Sequence, residues 1–134
     1  MFLDKKTHNN YRLVNKHSCH VLRHGIYGIK ICAFNRLTQL QLNSLNRSVI
    51  GIIRKFKNKK SIKFWNLIFL DLNLTKLSPE SRMGKGKGTI FSKAVFLRPG
   101  RIIFEFEGLN YQQASSILFK IKKLSNLKLE LVKK

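Results

Sequence analysis

The chain has 134 residues, of which 27 are Lys or Arg and only 6 are Asp or Glu, so its formal net charge is +21. Its hydrophobic fraction of 43% is ordinary for a folded protein and excludes disorder of the whole chain. Such a charge on a short chain is self-repulsive unless a polyanion neutralises it, so nucleic acid or an anionic membrane is the expected partner. The length predicts one domain with at most a tail, and the scarcity of acids leaves little material for a carboxylate-based active site.

The cysteines and the longest apolar run indicate the expected compartment. Cys19 and Cys32 are too few for a disulfide framework, so both are expected to stay reduced. The apolar run over residues 64–70 is far shorter than the ~20 residues that cross a bilayer. These features predict a protein that is soluble or bound to a soluble assembly, with no segment that spans a membrane. Richness in Lys, Asn, Ile, Phe and Leu is typical of A/T-rich codons and favours an organelle genome.

Residues 1–24 are polar, basic and without periodicity, and they are predicted to form an N-terminal tail. Alternating apolar residues over 29–33 then predict a short strand. Thr38 is a suitable N-cap and Gln41 completes a capping box, so a helix is predicted from there to near Lys57. Apolar residues at three- and four-residue spacing form one face of this helix: Leu42, Leu45, Val49, Ile52 and Phe56.

The centre of the chain is predicted to contain three strands and one long connection. Aromatic and β-branched residues over 62–70 predict a strand. Residues 71–92 contain a proline and three glycines, and they are predicted to form an extended loop without regular structure. A strand over 93–97, a tight turn at residues 98–101 and a half-buried strand over 102–107 follow.

The C-terminal part is predicted to form a second helix and a last strand. Asn110 with Gln113 can cap the helix, and apolar residues alternate over 127–131 in the strand. This order of elements predicts a single α+β domain over residues 25–134. Its sheet is expected to be mostly antiparallel, with both helices packed on one face.

A run of cations follows the first helix. Six of the ten residues from Arg54 to Lys63 are Lys or Arg, and none is acidic. The dipole of a helix favours two or three cations at its C-terminus but does not explain six, so contact with RNA phosphates is the predicted role. The predicted set comprises Arg47, on the outer face of the helix, together with Arg54, Lys55, Lys57, Lys59, Lys60 and Lys63.

The most distinctive motif is the glycine-rich segment over residues 82–88, Arg-Met-Gly-Lys-Gly-Lys-Gly. Glycines let the backbone take positive φ and approach a ligand closely, and the cations between them supply charge. This combination favours insertion into a crevice of folded RNA, whereas a flexible linker is usually rich in uncharged Ser and Gly. A P-loop does not fit, because Thr89 stands where its second glycine is needed. A dinucleotide-binding fingerprint does not fit either, because the third glycine is at the wrong spacing.

The histidines and acids offer little for catalysis. All four histidines lie in the first 24 residues, but the spacing of His17, Cys19 and His20 matches no zinc framework, so the tail is predicted to contact phosphates or bases. Glu105 and Glu107 are expected on the outer face of one strand, where they would pair with cations. No catalytic residue, metal site or cofactor is predicted.

Two segments together resemble one known family. The heptapeptide at residues 82–88, followed by Arg98-Pro-Gly-Arg-Ile-Ile-Phe-Glu105, is similar to the universal large-subunit ribosomal protein L16 family in its bacterial and organellar form. Gly28 before the first helix and Thr38 at its cap also fit. The resemblance covers residues 25–131.

The resemblance implies an α+β sandwich of the hammerhead type and a non-enzymatic, structural role in the large ribosomal subunit. Members of this family bind large-subunit rRNA near the transfer RNA channel, and their glycine-rich loop reaches toward the peptidyl-transferase region. By carry-over, Arg82, Lys85 and Lys87 would touch RNA phosphates. The other expected contacts are Met83, Gly84, Gly86 and Gly88 in the loop, Arg98 and Arg101 in the turn, and Arg12, Lys16 and Arg23 in the tail.

The expected partners are large-subunit rRNA, transfer RNA near the loop tip and neighbouring ribosomal proteins, with no membrane partner and no homo-oligomer. Drift of residues 1–24 from the family's usual pattern, with the A/T-type composition, resembles organelle-encoded members and implies a mitochondrial rather than a plastid ribosome. Two other functions remain open from the residues alone. One is a small metal-dependent nuclease using Glu105 or Glu107, and the other is a basic membrane-surface protein using the helix at 39–57.

Overall fold

The computed structural model describes residues 5–6, 19–56, 61–84 and 86–134. These residues form an α+β fold, as predicted. Its elements are β1 (Tyr27–Ile31), β2 (Asn35–Thr38), α1 (Gln39–Ile53), β3 (Lys63–Asn66), β4 (Leu72–Lys76), β5 (Thr89–Leu97), β6 (Ile102–Glu107), α2 (Tyr111–Leu124) and β7 (Leu129–Lys133).

The described strands form two sheets rather than the one sheet expected. One sheet has the order β3-β6-β1-β7 and the other the order β2-β5-β4. Each of their pairings is antiparallel. The chain passes from the second sheet to the first at residues 98–101, where Gly100 takes a φ of +86°. The predicted turn therefore joins two sheets instead of two neighbours in one.

Both helices begin at the predicted capping boxes. The backbone N–H of Thr38 donates to Gln41 Oε1 at 3.0 Å, and the N–H of Gln41 donates to Thr38 Oγ1 at 3.4 Å. The N–H of Asn110 likewise donates to Gln113 Oε1 at 3.0 Å. These side chains satisfy backbone donors that have no partner within the helix.

The first helix ends at Ile53, earlier than predicted. Beyond it, the N–H of Lys55 donates to the Ile52 carbonyl at 2.9 Å and the N–H of Phe56 to the Ile53 carbonyl at 3.1 Å. These i→i+3 bonds tighten the chain into a narrower turn. Phe56 still packs against the core, which explains why the apolar spacing continues past the helix.

One hydrophobic core is shared by both sheets and both helices. α1 packs against β2 and β5, α2 packs against β7, and the helices contact each other. α1 therefore packs on the three-stranded sheet and α2 on the four-stranded sheet, whereas both helices were expected on one face of a single sheet. Fully buried members of the core from each layer include Ile29, Leu37, Val49, Leu97, Phe104 and Ile117.

Residues 71–92 contain more regular structure than predicted. β4 and β5 pair with Lys76 opposite Thr89, so the loop between them comprises residues 77–88 only. β5 begins at Thr89 rather than Lys93. The alternation of Leu72 and Leu74 with polar residues is a strand pattern, whereas the nearby proline and glycines indicate a loop.

β3 is shorter than the predicted strand over residues 62–70. It ends at Asn66, whose side-chain Oδ1 accepts a hydrogen bond from the backbone N–H of Ile68 at 3.0 Å. An Asx turn of this kind replaces ladder bonds with a local one and ends the strand.

Residues 19–25, which we call the strap, pack on the face of the four-stranded sheet that points away from the core. The carbonyl of Cys19 accepts a hydrogen bond from the N–H of Ile102 at 2.8 Å. The side chain of Leu22 is 6% exposed, and it lies over Gly28, where a Cβ would meet its Cδ2 at 2.4 Å. The packed part of the protein therefore begins before residue 25.

Candidate nucleic-acid interface

The strap is anchored by the carboxylate of Glu105, which is 0% exposed. Oε2 accepts backbone N–H bonds from His24 at 2.7 Å and from Gly25 at 2.9 Å, and Oε1 accepts one from Arg23 at 3.2 Å. The expectation that Glu105 lies on an outer surface and pairs with cations is wrong. The strap covers this face of β6, and backbone donors satisfy the carboxylate instead.

Hydrogen bonding decides the protonation of this buried group. Burial by itself would raise the pKa of Glu105, but the bonds from the backbone of Gly25, His24 and Arg23 outweigh it and hold the pKa below the ordinary value of 4.5. A carboxyl whose pKa is lowered on folding stabilises the fold above its unfolded pKa. That contribution is lost as the pH falls through the folded value.

The stabilising charge of Glu105 is therefore expected to disappear in acid. Urea denaturation of the wild type and of Glu105→Gln should give a large difference in the free energy of unfolding at about pH 7. The difference should shrink as the pH falls below 4.5, because the carboxyl then takes up a proton first in the unfolded chain and, at still lower pH, in the folded protein. Glu107→Gln is the control, since this carboxylate pairs with Lys63 at the surface. A difference that does not change with pH would contradict the role of the charge.

Few acidic residues offset the cations at the surface. Glu107 pairs with Lys63 at 3.1 Å and Glu130 pairs with Lys30 at 3.7 Å. Together with the buried Glu105, the paired Glu107 and Glu130 are three of the six acidic residues of the chain. Exposed ion pairs contribute little to stability, but here they remove much of the negative charge that could offset the net positive field.

The glycine-rich loop lies in the connection between β4 and β5, at the closed end of their hairpin. Arg82 and Lys87 are exposed, and Met83 is 96% exposed. Gly84 and Gly86 take φ angles of +91° and +97°, which glycine adopts without strain. The loop thus presents a narrow backbone with cations on either side.

Gly88 lies at the base of this loop, where a glycine is needed because there is no space for a side chain. A Cβ at this position would lie 2.4 Å from the carbonyl oxygen of Lys76 and 2.8 Å from the N of Leu77. Such distances are too short for any side chain. The absence of a side chain therefore lets β4 and β5 approach closely where the loop begins.

Replacing Gly88 by Ala is expected to destabilise the protein by about 1–3 kcal/mol, because the new methyl group must displace backbone atoms. The free energy of unfolding from urea titration measures this. Gly51→Ala is the matched control, since a Cβ there meets nothing within 4 Å. In the exposed helix position of Gly51 the same change should stabilise by about 1 kcal/mol. Equal stability of Gly88→Ala and the wild type would contradict the tight closure.

The described basic residues do not form one cluster. β5 has nine residues, which span roughly 30 Å, and the loop and the turn lie at its two ends. Arg98 and Arg101 in the turn are half-buried, and the Nε of Arg101 is buried without a hydrogen-bond partner. The predicted residues therefore cover an extended surface rather than a single patch.

Other cations of the predicted set lie elsewhere on this surface. Arg47 lines an open cavity of about 680 Å³ between α1 and Ser92 of β5. Arg54 and Lys55 are exposed just beyond the end of α1, and Arg23 is exposed on the strap. Six predicted residues lie outside the described ranges: Arg12, Lys16, Lys57, Lys59, Lys60 and Lys85.

Sequence reasoning missed two features of this surface, the Glu105 anchor and a ring pair. The imidazole of His24 stacks on the indole of Trp65, with ring centroids 5.6 Å apart. No spacing rule connects positions so distant in the chain. The one available signal was a single acid among the apolar residues of 102–106.

The part of the chain that the structure describes contains no site for either alternative function, the metal-dependent nuclease or the membrane-surface protein. There, no group of three or more His, Cys, Asp or Glu residues is placed to hold a metal ion, and the carboxylate of Glu105 accepts hydrogen bonds from the backbone of the strap. The apolar residues of α1 that a membrane would need, Leu42, Leu45 and Val49, are buried in the core. No helix among the described residues is long and apolar enough to cross a bilayer.

Comparison with known proteins identifies the family. Residues 3–132 match the family described as Ribosomal protein L16p/L10e. The chain is 43% identical over 130 residues to large ribosomal subunit protein uL16m of Chondrus crispus, covering 96% of this chain and 94% of that protein. It is 36% identical over 97 residues to uL16 of Buchnera aphidicola, covering 72% and 67% of the two chains. The match to uL16 of Bartonella quintana is 39% over 88 residues, covering 66% and 61%. The resemblance is thus confirmed, and the chain belongs to the ribosomal protein L16p/L10e family.

Proposed function

We propose that this protein is a structural constituent of the mitochondrial large ribosomal subunit, and that as a single copy it binds large-subunit rRNA and presents its glycine-rich loop to transfer RNA. A structural, non-enzymatic role in the large subunit follows from membership of a ribosomal family. The observation that carries the finer proposal is the exposed loop of residues 82–88 at the end of the β4–β5 hairpin.

The form of this loop supports contact with RNA at a confined site. Gly84 and Gly86 have no side chain and, at each position, nothing lies within 4 Å of a hypothetical Cβ. Arg82 and Lys87 flank them and are exposed. A backbone this narrow can enter a crevice whose walls carry phosphates, and the cations can pair with those walls. The tight closure at Gly88 would keep the loop pointing away from the sheet.

Two observations support the mitochondrial assignment. The relative from Chondrus crispus carries the name uL16m, and its match covers nearly the whole of both chains. The matches to the Buchnera and Bartonella uL16 proteins are shorter. The A/T-type composition is also that of organelle-encoded proteins.

Changing Arg82, Lys85 and Lys87 together to Ala is expected to slow translation or maturation of the large subunit and to leave the fold intact. The described members of the set are exposed, so their loss removes charge without opening the core. The control changes Lys120, Lys122 and Lys123 on α2, which are also exposed, and so removes the same charge elsewhere. Subunit profiles on sucrose gradients and growth rates measure the effect. Normal profiles and normal growth of the loop variant would contradict the proposal.

The location can be tested with a tagged copy of the full chain. Extracts of purified mitochondria are separated on a sucrose gradient at high salt, and we expect the tag to migrate with the large subunit. Its amount should equal that of other large-subunit proteins if one copy is present. Recovery at the top of the gradient would contradict the ribosomal role, and recovery with plastid ribosomes would contradict the mitochondrial assignment alone.

A further inference from the structure

A pair of stacked rings lies on the sheet surface beside the strap. The rings of His24 and Trp65 are separated by 5.6 Å between centroids and inclined by 27°. Trp65 lies on β3 opposite Glu105 of β6, and it is half-buried, whereas His24 is exposed. The imidazole is therefore the outer ring of the pair.

The outer ring is held by backbone contacts on either side of it. The N–H groups of His24 and of its neighbours Arg23 and Gly25 all donate to the buried carboxylate of Glu105. Gly25 lies so close to β6 that a Cβ would be 2.4 Å from the carbonyl oxygen of Phe106. Because the backbone is fixed in this way, a ligand that stacks on the imidazole need not order the segment on binding.

Cations lie beside the rings. Arg23 precedes His24 and is exposed, and Lys63, on the same strand as Trp65, is 67% exposed but pairs with Glu107 at 3.1 Å. Residues two apart on a strand share a face, so Lys63 and Trp65 lie on the same side of the sheet. Aromatic rings beside cations are how proteins bind unpaired nucleotides, since the rings stack on the base and the cations contact the phosphate. A base inside a continuous helix is stacked on both faces and is not available to bind in this way.

We propose that His24 and Trp65 form a stacking platform for a single unpaired nucleotide of RNA, with Arg23 contacting its phosphate. Glu105 acts as a positioning residue, because it holds the backbone and does not touch the nucleotide. This site is separate from the glycine-rich loop, and the inference rests on the proposed binding of RNA.

The chain offers a direct probe of this site, because Trp65 is its only tryptophan. The full-length protein is titrated with two fluorescently labelled RNA hairpins that differ only in one bulged adenosine. Anisotropy of the label reports binding, and the tryptophan emission reports stacking near the platform. We expect both hairpins to bind, but only the bulged one to quench the emission and to bind about tenfold more tightly.

Substitutions of His24 test whether its ring stacks on the nucleotide without disturbing the position of the strap. His24→Ala keeps the backbone N–H that Glu105 accepts, so the strap stays in place. It should remove the advantage of the bulged hairpin, and His24→Phe should restore it. Tyr111→Ala is the matched control, because it removes an aromatic ring that is 65% exposed on α2. Its preference for the bulged hairpin should equal that of the wild type.

The outcomes distinguish this inference from the proposed function. Binding of both hairpins with equal affinity and unchanged tryptophan emission would overturn the platform and leave RNA binding in place. An undiminished preference in His24→Ala would overturn it as well. Failure of both hairpins to bind at low salt would overturn RNA binding itself, and the platform with it.

Discussion

The affinity of the purified protein for ribosomal RNA is expected to fall by about three to five orders of magnitude as salt rises from about 50 mM to about 200 mM. Each Lys or Arg that touches a phosphate releases condensed counterions from the RNA, and added salt opposes this release. A fall of that size corresponds to roughly six to ten phosphate contacts. With 27 Lys and Arg against 6 acids, and three of the acids buried or paired, the chain has cations enough for that number.

The slope of log affinity against log salt, measured by anisotropy with a labelled RNA, tests this expectation. The variant that lacks Arg82, Lys85 and Lys87 should show a slope smaller by about 3, if each residue touches one phosphate. The α2 variant at Lys120, Lys122 and Lys123 removes the same charge and should change the slope less. An affinity that hardly depends on salt would contradict the inference drawn from the net charge.

Glu105→Ala is expected to lower the free energy of unfolding by about 3 kcal/mol or more, because each buried donor that loses its acceptor costs about 1–3 kcal/mol. The change leaves three backbone N–H groups without their acceptor and opens a cavity under the strap. Denaturation by urea at neutral pH measures the loss. Glu107→Ala is the matched control on the same strand, and its loss should stay below about 1 kcal/mol because its ion pair is exposed.

Hydrogen exchange gives an independent measure of the same contact. In the wild type the amides of Arg23, His24 and Gly25 should be protected, and in Glu105→Ala they should exchange quickly. Continued protection, together with a loss below about 1 kcal/mol, would mean that packing of Leu22 holds the strap and that the carboxylate is incidental.

The helices were predictable because the rules that govern them are local. Thr38 with Gln41, and Asn110 with Gln113, lie three residues apart, and both pairs form the hydrogen bonds that their spacing predicts. The apolar spacing after Thr38 also identified the buried face of α1. Such features depend on residues within one or two turns of each other, so a single sequence contains all the information they need.

The second sheet and the strap were not predictable in the same way. β2 has only four residues and one buried side chain, Leu37, so its pattern is too short to distinguish it from a loop. The strap depends on an acceptor about eighty positions away, and no periodicity connects the two. Glu105 occurs in an alternating strand, which predicted an exposed side chain. Only a segment from elsewhere in the chain could cover it.

The distance in sequence between the strap and its anchor also determines the order in which the protein can fold during its own synthesis. Some eighty residues must be added after Gly25 before Glu105 exists to accept its N–H. Throughout that interval Leu22 has no sheet to cover, and β1 lacks both of its neighbours, β6 and β7. The strap is therefore made early and is among the last of the described segments to take its place.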